Sequence, residues 1–167
     1  AGTVFNTTVD DVSYQFSTIE SFSKSNTGNS IPFVGIDIFE GTFITTRYTV
    51  DTSDIDQRFL LTDNRADTST LIVKVQTSST DSTSTTFTEA TDITQVTSGS
   101  NVFFLQEVEA GLFEVYFGDG VIGTALSDDN IVILTYVVSN KTAANGASLF
   151  TNAATIASVT DISVATA

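Results

Sequence analysis

The chain has 167 residues, 20 of them acidic and six basic, for a formal charge of −14. It contains no Cys, His or Met, which excludes a disulfide framework, a thiolate or imidazole metal site, and a Ser-His-Asp or Cys-based catalytic centre within these residues. With 41% hydrophobic residues and a positive mean hydropathy it is composed to pack, and its wealth of Phe, Val, Ile and Thr beside a single Pro favours strands.

Short apolar runs of period two, bounded by Gly, Asp, Asn and Ser, recur from end to end. Gly2 to Thr7 and Val12 to Ser17 form a first pair around Asp10-Asp11. Ile31 to Phe39 and Gly41 to Val50 follow; in the second, Phe43, Thr45, Arg47 and Thr49 face one way and Ile44, Thr46, Tyr48 and Val50 the other. Phe59 to Thr62 and Thr70 to Thr77 are joined through the turn formers of Asp63 to Asp67. Ser78 to Ser84 carries no apolar residue and reads as an exposed loop. A strand begins near Phe87, and Ser98-Gly99-Ser100 makes a polar turn.

Val102 to Val108 and Leu112 to Phe117 read as a hairpin across Glu109-Ala110-Gly111. Asn130 to Val138 is almost continuously apolar, the pattern of a strand buried on both faces. No long helix is expected; the Ala-rich stretch after Thr142 has room for a short one, broken by Asn145-Gly146. The expected fold is mainly β, with antiparallel sheets as a sandwich or two small subdomains and little helix. The expected division is discontinuous: residues 1–48 with 141–167 in one subdomain, and residues 49–140 inserted as the other. The tail offers one strand, Ile156 to Val164, which is too little to fold alone.

The charge repels phosphate, and the six cations (Lys24, Arg47, Arg58, Arg65, Lys74 and Lys141) are scattered, so neither nucleic acid nor an anionic membrane is an expected partner. No apolar run is long enough to span a bilayer. Only carboxylate chemistry remains for catalysis, and a glycosidase would need two acids facing each other across a cleft. Asp51, Asp54 and Asp56, or Asp119, Asp128 and Asp129, offer oxygen ligands for Ca²⁺. Neither group has the spacing of an EF-hand loop, and caps for turns are the simpler role. No cofactor and no metal are expected.

Phe117-Gly118-Asp119-Gly120-Val121 is the most informative stretch. No Lys and no helix follow it as a phosphate loop requires. Gly118, Gly120 and Gly123 supply backbone freedom and Asp119 accepts backbone N–H bonds, which makes a structural turn with Phe117 and Val121 expected as anchors on either side.

Leu112 to Leu126, followed by Asp129 to Tyr136 and Ala144 to Ala147, resembles the baseplate wedge protein of T4-like contractile-tailed phages, itself similar to the wider baseplate J family. Gln57 to Leu61, Asp67 to Leu71, Val73 to Val75 and Val102 to Glu107 agree in order, as do Tyr14 to Thr18 and Glu40 to Thr42, so the likeness covers about residues 2–150. The resemblance implies a non-enzymatic structural subunit of the wedge and inner ring. Such a subunit is made in the host cytoplasm, resides in the virion's tail baseplate, and oligomerises there with other baseplate proteins and further copies of itself. The family's chains are longer, so a fragment is expected. An acidic β-sandwich adhesin or receptor-binding module, with or without Ca²⁺, is the alternative reading.

Overall fold

A computed structural model describes residues 2–25, 28–152, 155–156, 159–160 and 162–164. The chain divides into two compact units, residues 1–43 with 137–167, and residues 44–136. Among the described residues the structure is mainly β, with ten strands and only short 3₁₀ turns at Ile93–Gln95, Glu109–Gly111 and Lys141–Ala144.

The first unit is built on a three-stranded antiparallel sheet of β1 (Val4–Val9), β2 (Val12–Ser17) and β3 (Phe39–Glu40). Val9 pairs with Val12, so Asp10 and Asp11 alone make the hairpin turn, and both take positive φ (49° and 65°). That is the backbone a two-residue turn needs to follow the right-handed strand twist, and Asp tolerates it better than most side chains. Asn6 forms an antiparallel bridge with Thr151, and the Phe16 and Phe150 rings meet edge-on at 5.0 Å. The Glu40 carboxylate accepts the Asn140 backbone N–H and side-chain amide, both at 2.7 Å. Ser17 Oγ is the one buried side-chain oxygen without a partner among the described residues.

The expected strand from Ile31 is absent: pairing begins only at Phe39, and residues 31–38 lie outside any ladder. The expected strand from Ile156 to Val164 falls partly outside the described residues; what is described there is a bridge between Ile156 and Val159.

The second sheet has seven strands: β4 (Thr42–Thr49), β5 (Phe59–Leu61), β6 (Ala66–Gln76), β7 (Ser84–Glu89), β8 (Val102–Glu107), β9 (Phe113–Phe117) and β10 (Ile131–Val138), in the order β4-β10-β6-β7-β8-β9-β5. The β6–β7, β8–β9 and β5–β9 pairs are antiparallel, but β7 and β8 run parallel, so the sheet is mixed. Its end strands come together: Tyr48 Oη of β4 donates to the Leu60 carbonyl of β5 at 2.7 Å, and the Tyr48 and Phe59 rings meet at 5.7 Å. The sheet therefore curls until its edges face each other across side chains, which shields edges that would otherwise recruit another strand.

Alternation along the strands fills the interior of this curl. Val132, Leu134 and Tyr136 of β10, Val73 and Val75 of β6, Phe87, Phe103, Val115 and Leu61 are all buried. On β10, Ile131, Ile133 and Thr135 are only half-buried, so β10 alternates there rather than being covered on both faces. Edge-to-face contacts run from Tyr48 through Phe59 and Phe117 to Phe87, with centroids 5.4–5.7 Å apart. Each such contact adds about 0.5–1.5 kcal/mol beyond area burial. Tyr136 is fully buried, and its hydroxyl accepts the Thr62 backbone N–H at 3.0 Å. Tyr136→Phe strands that N–H and is expected to cost about 1–2 kcal/mol, read as a lower denaturant midpoint with an unchanged slope.

Candidate functional site

β9 ends at Phe117, and the chain turns at once. Gly118 forms a parallel bridge with Ala125, and its Cα faces backbone so closely that an added Cβ would lie 2.3 Å from the Gly123 carbonyl carbon and 2.4 Å from the Ile122 oxygen. Asp119 Oδ1 accepts the backbone N–H groups of Val121 and Ile122, each at 2.9 Å. Gly120 N–H donates to the Gly123 carbonyl at 3.0 Å, and both glycines have positive φ (86° and 82°). The turn is also fastened from outside: Gly123 N–H reaches the Thr97 carbonyl at 3.1 Å, Thr124 N–H reaches the Ser100 carbonyl at 2.9 Å, and Thr124 Oγ1 bonds Asn101 Oδ1 at 3.1 Å.

The hydrogen bonds from Ile122 and Val121 hold the Asp119 carboxyl below the usual carboxylate range. Phe117 packs inward against Phe59 and Phe87, but Val121 is 73% exposed and Ile122 lies beside it in solvent. The expectation that Val121 anchors the turn is thus overturned. Asp119 draws both N–H groups to the inside of the loop, and the side chains they carry point out.

A carboxyl whose folded pKa is depressed contributes stability that is complete above the unfolded value of about 4 and is lost as pH falls through the folded value. Asp119→Asn keeps an acceptor oxygen but no charge. Its deficit in melting temperature relative to the unaltered chain is therefore expected at pH 7 and should shrink below pH 4. A pH-independent gap would show that charge plays no part.

Three of the other acids also accept backbone N–H groups. Asp51 Oδ1 accepts Ser53 N–H and Oγ–H at 2.9 and 2.6 Å, Asp54 Oδ1 accepts Asp56 N–H at 3.0 Å, and Asp128 Oδ1 accepts Thr52 N–H at 3.0 Å. Asp129 takes a positive φ of 62° at a turn. Among the described residues no three acidic side chains converge as a metal site would require.

A groove of about 620 Å³ lies between the Asp54–Phe59 stretch and the end of β9, with Val50 and Leu126 on its walls. Across it runs an ion pair that local sequence gives no sign of, because its members are 56 residues apart. Arg58 Nε and Nη2 both donate to Glu114 Oε2, at 2.8 and 2.6 Å. Glu114 is buried on β9 while Arg58 remains 42% exposed, so the pair closes a half-buried seam. Glu114 is thereby engaged by a cation.

This is a curled β unit in which Asp51, Asp54, Asp119 and Asp128 accept backbone N–H groups, Glu114 is paired with Arg58, and the most distinctive motif is held by backbone contacts, the build of a structural module. The chain belongs to the family of the bacteriophage baseplate wedge protein gp6, third domain, whose family model matches residues 44–151, more than half of the chain. Membership gives it a structural role at the phage tail baseplate. No curated protein matches the chain.

Proposed function

We propose that this chain is a non-catalytic subunit of the baseplate wedge and inner ring, made in the host cytoplasm and built into the virion. There it contacts other baseplate proteins and further copies of itself, and it uses no nucleic acid, membrane or cofactor. The family match over residues 44–151 is the observation that carries this reading. The Gly118–Gly123 turn serves as scaffold: it ends β9 and ties the chain to the Thr97–Asn101 loop.

Charge shapes the contacts available. Residues 44–136 hold 14 acids and four cations, whereas the rest of the chain holds six and two. Partners of the more acidic unit are therefore basic or meet it at acid-poor patches. Cross-linking purified particles with a carboxylate-reactive reagent, followed by mass spectrometry, tests the reading, since the chain is rich in the reactive group. Links from this chain to other baseplate proteins, and links joining identical peptides, are expected. Particles that lack the chain would refute the proposal.

A further inference from the structure

Asn145-Gly146 lies outside every strand, between the Lys141–Ala144 turn and the bridge from Thr151 to Asn6, and both residues are exposed. The Asn145 backbone N–H donates to the Thr142 carbonyl at 3.1 Å, but among the described residues nothing bonds the Asn145 side-chain amide or the Gly146 N–H. Gly146 takes φ +94°, and nothing lies within 4 Å of where its Cβ would be. An unbonded main-chain N–H beside an unbonded side-chain amide, with no Cβ in the way, lets the backbone nitrogen reach the preceding side chain. Other asparagines lack this combination. Asn64 precedes Arg65, whose N–H is held by Asp63 Oδ1 at 2.8 Å. Asn101 Oδ1 accepts Thr124 Oγ1–H at 3.1 Å, and the following Val102 N–H donates to the Ser100 carbonyl at 3.0 Å. Asn140 Nδ2 is bound to Glu40 at 2.7 Å. Asn29 is exposed, but Ser30 follows it and brings a Cβ.

We propose that Asn145 is a self-modification site, converted without an enzyme to aspartate and isoaspartate through a cyclic imide formed with Gly146. Hydroxide removes the Gly146 amide proton, and the nitrogen attacks Asn145 Cγ. The new N–Cγ bond closes the ring as the Cγ–Nδ2 bond breaks, and the side-chain nitrogen takes a proton from water and leaves as ammonia. Closure turns Asn145 away from its ψ of 137°, and the open surroundings of Gly146 leave room for that rotation. Water then opens the ring. Addition at Cγ restores the main chain with an aspartate side chain. Addition at the main-chain carbonyl carbon leaves Gly146 joined through Cγ, so the backbone gains a methylene. From Val137 to Thr160 the sequence has no acid, and Lys141 is its only charge. Either product therefore places a negative charge in a stretch that otherwise has none.

The test ages the purified chain in mildly alkaline buffer and follows each asparagine by peptide mapping, with electron-based fragmentation to separate aspartate from isoaspartate. Asn145 is expected to convert first, about tenfold faster than Asn29 or more, with isoaspartate among the products and at a rate close to that in the denatured chain. Gly146→Ala should slow conversion of Asn145 by about tenfold or more. Because that variant puts a Cβ at positive φ, the two chains are also compared in denaturant, where the same slowing is expected whether or not the variant folds. Conversion of Asn145 no faster than of Asn29, or unchanged by Gly146→Ala, would overturn the proposal. So would aspartate without isoaspartate, which marks direct hydrolysis, or protection by the fold of more than about tenfold.

Discussion

Replacing Gly41 by Ala is expected to lower stability by about 3–5 kcal/mol. Gly41 has φ +126°, a conformation that L side chains rarely adopt. A Cβ there would sit 2.2 Å from the Val138 carbonyl oxygen and 2.7 Å from Val137 Cγ1. The carbonyl belongs to β10, and Val137 is fully buried, so neither can give way cheaply. Strain in the backbone and overlap with packed atoms therefore add. At this chain length each kcal/mol is worth about 2–4 °C, and a thermal melt reads the loss directly. Gly99 is the control: its φ is not positive and nothing lies within 4 Å of its would-be Cβ, so Gly99→Ala should be neutral or slightly stabilising.

Gly118→Ala is the second. Here the obstacle is close approach: an added Cβ would meet the Gly123 carbonyl carbon and oxygen and the Ile122 oxygen at 2.3–2.5 Å, all of them backbone. Relief requires opening the turn, which would pull Gly123 and Thr124 from the carbonyls of Thr97 and Ser100. A loss of about 3 kcal/mol or more is expected. Amide exchange should locate it, with faster exchange at Gly123 and Thr124. A melting curve matching that of the unaltered chain would mean that the turn tolerates a wider form.

These two glycines illustrate what a sequence discloses. The Phe-Gly-Asp-Gly motif announces a turn because its residue types are those a turn demands, and the Asp119 bonds to Val121 and Ile122 are of the kind such a motif makes. β2 and β4 were readable because their apolar and polar residues alternate, and Glu109-Ala110-Gly111 because a short Gly-bearing link between strands makes a hairpin. Val121 was misplaced because an apolar side chain beside a turn carries no sign of which way the turn faces. Ile31 to Ile38 was misread for a related reason: alternation shows that a segment can be a strand, whereas a ladder also needs a neighbour, and none is supplied here. The Arg58–Glu114 pair, the Tyr48–Leu60 closure and the parallel β7–β8 pairing depend on residues made adjacent by the fold. Gly41 reads in the sequence as the first residue of a strand; only its distance to Val138 shows what it does.

The central claim, that this chain is a building block of the tail baseplate, is tested most directly by cryo-electron microscopy of intact particles. The account predicts density at the baseplate that accepts the curled seven-stranded sheet of residues 44–136, in repeated copies around the tail tube. A baseplate resolved at side-chain detail in which every density belongs to other chains would contradict it.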